Sequence, residues 1–301
     1  DDIEMSVSSV ALSINQAAAD DSVVDFSTTN LIVSTGPEVG DVATFTADAE
    51  VVEVSGSFAI GVYGLFKAEG SLALKKSTQT VTLSDTSTVD VDQLLIGGDS
   101  LSGFIGVGAT TAAENWGTEA LGFGVSGVSF GLAVQTAADG RVFTSVLASA
   151  TSASFVGLDS VTVSATDMGV SINTVNTGEV VVDYAQGATS LSVPTGADPI
   201  VLDMEGSAGK LVQASGSLTI DVAGFFQVSG SFGIEQSIQT VTLSDGSSIE
   251  VDYLGVGASQ LNAFVGANGG TAAELGFNLS ELNFALALMS DRAAPENRYL
   301  S

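Results

Sequence analysis

The sequence predicts an all-β protein of two tandem repeats of about 160 residues, forming an elongated, mainly antiparallel β-sheet stack. Three observations carry that prediction. Apolar residues alternate with small polar ones over long runs, the chain repeats itself at a nearly constant offset, and turn-forming residues separate the runs. Alternate residues of a strand point to opposite faces, so the period of two is a β signature. A parallel β-solenoid is the alternative, because its coils also bury alternating apolar rows.

The repeat is read directly from the residues. Ser77–Asp85 (STQTVTLSD) returns as Ser237–Asp245 (SIQTVTLSD), 160 residues on with one difference in nine. Ser55-Gly56-Ser57 returns as Ser215-Gly216-Ser217, and Phe104-Ile105-Gly106 as Phe264-Val265-Gly266. Thr111–Glu114 returns as Thr271–Glu274. Leu12–Asn15 matches Val170–Asn173 at 158, and Arg141–Thr144 matches Arg298–Ser301 at 157. The drift marks loop insertions, such as 115–120 around Trp116. Unit 1 is read as 1–158 and unit 2 as 159–301, C-terminally incomplete, as expected of a slice from a longer array.

Each element follows from its pattern. Ile3, Met5 and Val7 share one parity and Val10, Leu12 and Ile14 the other, so a bulge, corner or turn is expected at Ser8-Ser9. The same switch falls at Thr166-Asp167, between Val161–Ala165 and Met168–Ile172, and at Ser280-Glu281, between Leu275–Leu279 and Leu282–Leu288. Phe58–Leu74 and Leu218–Ile234 alternate for longer than one strand allows. Gly64, Gly70, Gly224 and Gly230 therefore mark bends, bulges or turns within them. Hairpins are expected at Asp85-Thr86 and Asp245-Gly246. Thr110–Ala120 and Asp291–Asn297 are the places for a helical turn, and the four prolines fall in loops.

Composition excludes much chemistry. Asp and Glu number 35 against 7 Lys and Arg, a net charge of −28, while mean hydropathy is +0.42. Such a chain cannot displace counterions from a nucleic acid, and it is too apolar for a disordered acidic tail. It has no cysteine and no histidine, which removes thiolate nucleophiles, zinc–sulfur sites and the commonest general base. No run of about twenty apolar residues predicts a transmembrane helix. Asp1-Asp2-Ile3-Glu4 lacks the features of a signal peptide, so any export signal is expected outside this sequence.

Asp90-Val91-Asp92 and Glu250-Val251-Asp252 each put two carboxylates on one face of a strand, about 6.5 Å apart. With Asp85 or Asp245 at the preceding turn, the six residues Asp85, Asp90, Asp92, Asp245, Glu250 and Asp252 are the candidate Ca²⁺ ligands, against a plain solvated strand face. Neither an EF-hand loop nor a nonapeptide calcium repeat is present. Asp25-Phe26 and Asp183-Tyr184 form a recurrent acid–aromatic pair, expected to close a strand at the sheet margin. Arg141 reads as a turn or strand-end residue. Phe225 and Phe226, Tyr63 with Phe66, and Phe123 with Phe130 read as closed-core residues, the alternative being an open groove for lipid.

These repeat segments resemble the repeat regions of giant, acidic, cysteine-free bacterial surface or secreted proteins, adhesin-like and grouped with LEPR-XLL-type sequences. The resemblance implies an extracellular or cell-surface, non-catalytic role. The function expected is a structural repeat module of an elongated surface protein or fibre, whose partners are neighbouring repeats or copies of itself, assembled end to end. The alternatives are a Ca²⁺-binding adhesin that meets glycans or cell surfaces, a lipid-binding β-groove, and a polysaccharide-active enzyme. No obligatory cofactor is expected.

Overall fold

The computed structural model describes residues 3–20, 22–29, 31–36, 42–62, 65–110, 116–117, 119–158, 160–185 and 190–301. Asp1, Asp2, Pro37, Tyr63, Gly64 and the 111–115 part of the expected helical turn lie outside them.

The strands are β1 (Ile3–Asn15), β2 (Ile32–Ser34), β3 (Val42–Thr44), β4 (Val51–Val62), β5 (Phe66–Thr82), β6 (Thr88–Val107), β7 (Leu121–Ala137) and β8 (Val142–Val156), followed by β9 (Val161–Val175), β10 (Leu191–Val193), β11 (Ile200–Leu202), β12 (Leu211–Val222), β13 (Phe226–Thr242), β14 (Ser248–Ala267), β15 (Leu275–Asp291) and β16 (Arg298–Leu300). Twelve of them form one open antiparallel sheet in the order β1-β4-β5-β6-β7-β8-β9-β12-β13-β14-β15-β16. Every ladder is antiparallel, which excludes the solenoid. The helical turns expected from sequence are not formed among the described residues of those segments. A 3₁₀ turn at Gly206–Ala208 occurs instead.

The second unit repeats the first strand for strand, β9 and β12–β16 standing for β1 and β4–β8. The sheet crosses the junction without a break, because β8 pairs with β9 from Phe143↔Val175 to Phe155↔Val163. The expected parity switches are β-bulges. Ser9, Ser100 and Gly127 in the first unit and Asp167, Gln260 and Glu281 in the second all take φ between 52° and 60°, and the registers shift beside them. The bulge at Ser100 throws Leu101 across β5, where a Cβ on Gly70 would start 2.8 Å from the Leu101 Cα. Gly230 faces Leu261 in the same way. Both expected hairpins form, with Thr86 and Gly246 in the left-handed region.

One register differs from the sequence alignment. Arg298 pairs with Ser290, and Val142 with Thr136. Since Ser290 and Thr136 face Asp252 and Asp92 respectively, Arg298 occupies the position of Val142 and not that of Arg141. An identity shared by one arginine outweighed the strand parity, and a slip of one residue exchanges the faces.

Candidate functional site

The two faces of the sheet are chemically opposite. One face, called here the apolar face, carries Leu12, Val54, Leu74, Ile96, Leu132, Val146, Ile172, Val212, Gln236, Leu254, Leu288 and Leu300 as a single cross-strand row. Successive members are directly paired from β1 to β16. Further apolar rows lie below it, so each long strand shows an apolar stretch of about 9–12 residues, for example 3–14, 94–105, 161–172 and 254–265. Nothing in the described chain covers them: Met5 is 71% exposed and Phe277 72%. Above the row the same face turns polar within one or two positions, at Lys76, Asp92, Thr136, Thr174, Asp252 and Ser290.

The aromatic residues expected in a closed core stand on this face or its lower rim. Phe66, Phe123, Phe225 and Phe226 are exposed and Phe130 is half-buried. Alternation reports which residues share a face, and it is silent about whether a second layer covers that face.

The opposite face is small and polar, lined by residues such as Ser55, Ser57, Gly97, Ser126, Ser145, Ser217 and Asn278. It carries the buried core. The described residues of the connection between β9 and β12, 176–185 and 190–210, fold back over the first unit, and β10 and β11 lie on β6, β7 and β8. Val181, Val182, Tyr184, Leu191, Val193, Leu202 and Met204 of this arm pack with Val81, Val91, Leu95, Ala133 and Phe143 of the sheet. Gly97 and its partner Gly131 make the seat flat. A Cβ on Gly97 would begin 2.2 Å from the Pro194 carbonyl oxygen, and one on Gly131 3.1 Å from the Ile200 Cβ.

Polar contacts fix the arm's register. The Asn173 amide donates to the Val182 carbonyl at 2.7 Å, and the Asp183 carboxylate accepts from the backbone of Ala185 and Gly206. The Tyr184 hydroxyl lies 3.0 Å from Gln135 Oε1 and 2.9 Å from Ser145 Oγ. Burial pushes the Tyr184 phenol up to about 12, so it stays protonated and donates. The Asp183-Tyr184 pair is thus an anchor over the interior of the sheet, well away from the margin where its sequence placed it. A smaller cluster, Phe104, Ala109, Trp116 and Ala120, covers the lower part of the same face.

The candidate calcium ligands are spread along the upper rim. The Asp85 carboxylate turns back on its own hairpin, accepting from the Ser87 hydroxyl and amide, and Asp245 does the same with Ser247. Those donors hold both carboxyl groups below their ordinary range. Asp90 accepts from Thr80 at 2.5 Å, and Asp252 meets Arg292 at 3.4 Å. Asp92 and Glu250 extend the polar border. Among the described residues no three acidic groups converge as a metal site would require. Arg141 is a turn residue as expected, paired with Asp139 at 2.8 Å and lying over Phe143.

The arm itself escaped the sequence reading, although a signal for it exists. Leu31-x-Val33-x-Thr35-Gly36 returns as Leu191-x-Val193-x-Thr195-Gly196. No family model, curated protein or solved structure matches the chain.

Proposed function

We propose that the chain is a non-catalytic structural repeat module of a membrane-facing β-wall, with its apolar face against lipid acyl chains and its Ser/Gly-rich face toward water. One observation carries this reading: an uncovered apolar band of nearly constant height running across the eleven long strands of the sheet, with polar residues above it. About 11 residues at about 3.3 Å each, tilted by about 45°, give a height of about 25 Å, which matches the apolar belt of transmembrane β-structure. A sheet of this kind satisfies all its internal backbone groups by cross-strand pairing, as hydrocarbon demands. In water so large a patch drives aggregation.

The repeat-module role expected from sequence is carried forward, and the apolar face adds the medium. The acidic surface falls on the polar face and on the strand ends, so the water beside that face favours cations. The test is to place a tryptophan at Val170 within the band, or at Asp92 above it, with Trp116 replaced by Phe in both. Each variant is then reconstituted into phosphatidylcholine vesicles carrying acyl-chain bromines. Quenching of the residue at 170 but not at 92 supports the reading. A chain that stays in solution, or equal quenching of both, overturns it.

A further inference from the structure

The first unit has the same arm, and that arm is bare. At the start of the 16–50 connection the Asn15 amide, at the end of β1, donates to the Val24 carbonyl just as the Asn173 amide donates to that of Val182. The amide of Phe26 reaches Ala47 as that of Tyr184 reaches Met204, and β2 pairs with β3 as β10 pairs with β11. Yet Val24 is 50% exposed against 1% for Val182, and Val33 is 44% exposed against 0% for Val193. At the other end of the sheet, no arm lies on the polar face of β14 and β15 among the described residues. Gly257 keeps the place of Gly97, and a Cβ there would meet only the neighbouring strand's Phe284 carbonyl oxygen, at 3.6 Å.

We infer that the first arm of one copy docks on the β14–β15 face of a second copy, repeating between chains the contact that the second arm makes within the chain. The two bare surfaces have changed together. Tyr184 and its acceptor Gln135 are replaced by Phe26 and Met289, so hydroxyl and acceptor are lost as a pair and neither surface is left with a buried unsatisfied group. Gly131 becomes Ala285, and the Ile200 that lies on Gly131 becomes Ala43, so the added methyl meets a smaller side chain. Leu95 becomes Gly255, and the Tyr253 ring lies across that glycine, restoring the missing volume. The Ser145–Asn173 hydrogen bond at the internal junction has Ser301 and Asn15 as its counterpart, which sets β1 of the incoming copy beside β16. The contact joins two different surfaces, so it propagates instead of closing into a dimer.

The inference concerns the polar face and is independent of what covers the apolar one. The chain has no cysteine, so engineered thiols report without background. One preparation carries Val33→Cys and another Ala285→Cys; they are mixed in neutral detergent micelles and oxidised. Within the chain, Val193→Cys with Gly131→Cys is the control, because a Cβ on Gly131 would lie 3.2 Å from that of Val193, close to disulfide range. The expected result is a 33–285 disulfide between chains, identified by peptide mass spectrometry, with its yield cut several-fold by Phe26→Asp in the arm. Val170→Asp on the apolar face leaves the yield unchanged while abolishing vesicle insertion, which separates this inference from the membrane reading. Absence of the mixed disulfide while the internal control closes, or a yield indifferent to Phe26→Asp, overturns it.

Discussion

The hydroxyl of Tyr184 offers a quantitative test of how the arm is held. Tyr184 is 1% exposed, and its O–H serves Gln135 Oε1, whose own amide donates to Gln93 Oε1 at 3.2 Å. Tyr184→Phe keeps the ring and removes the donor, leaving a buried carbonyl oxygen short of a partner at a cost of about 1–3 kcal/mol. The loss falls on the arm, so it is read by amide hydrogen exchange at Asp183 and Tyr184, whose N–H groups bond to Thr82 and Met204. Exchange there should accelerate about 5- to 150-fold, with amides in the centre of β13 unchanged. Gln135→Met alone leaves the phenol bonded to Ser145 and costs less. The double variant recreates the Phe26–Met289 pairing, so its cost should fall about 1–2 kcal/mol below the sum of the two singles. Strict additivity would refute the claim that this pair acts as a unit, and with it the reading of its joint replacement elsewhere.

Other perturbations reach different parts of the structure. In a bilayer, Met168→Arg at mid-band should destabilise by about 2–4 kcal/mol and Thr174→Arg at the polar border by about 0–1 kcal/mol, measured by urea titration in vesicles. Equal costs would remove the depth profile on which the membrane reading stands. Alkali should release the second arm. The Tyr184 phenol is raised from 10.0 to about 12, so its contribution is intact below pH 10 and lost as the pH rises toward 12, at most about 3 kcal/mol. Phenolate absorbance and exchange at Tyr184 should change together in that window, and Tyr184→Phe should abolish the coupled step. Trp116, the sole tryptophan, lies over Gly124, where a Cβ would begin 2.2 Å from its ring. Gly124→Val should therefore expel the indole and shift its emission to the red, and an unshifted spectrum would place the ring elsewhere.

Alternation at period two, the long offset and the turn residues were enough to reach an antiparallel sheet, its duplication and its bulges, because strand parity is a local property of adjacent side chains. Ser9 and Asp167 share a bulge without sharing a side-chain type, yet the parity change on either side reveals both. The arm was illegible for a different reason. Val182 and Val24 are the same residue in the same local setting, and one is buried while the other is exposed. What separates them is a sheet face assembled from residues 81–143, about 40–100 positions back along the chain, a non-local fact that no window on the sequence contains. The acidic pairs show what spacing leaves out: two carboxylates at i and i+2 share a strand face, and their partners come from neighbouring elements, Thr80 for Asp90 and Arg292 for Asp252.

The count of strands decides whether such a unit can be extended at all. Each unit contributes six strands to an antiparallel sheet, and an even number returns the chain to its starting direction. The arm after β9 therefore leaves the same end of the sheet as the arm after β1. The three bulges of each unit recur at matching positions, so the polar and apolar faces also stay in phase from one unit to the next. With direction and face both restored, the second arm meets the polar face of the unit before it and the apolar band continues level. A unit with five or seven strands would reverse the arm to the opposite end, and one with a bulge missing would turn the lower half of a strand inside out. Deleting the β13–β14 hairpin keeps the parity and should leave a foldable sheet. Deleting β13 alone should not, and proteolytic sensitivity of the two variants distinguishes them: equal resistance would mean that strand direction, the constraint on which the whole repeat rests, does not govern this wall.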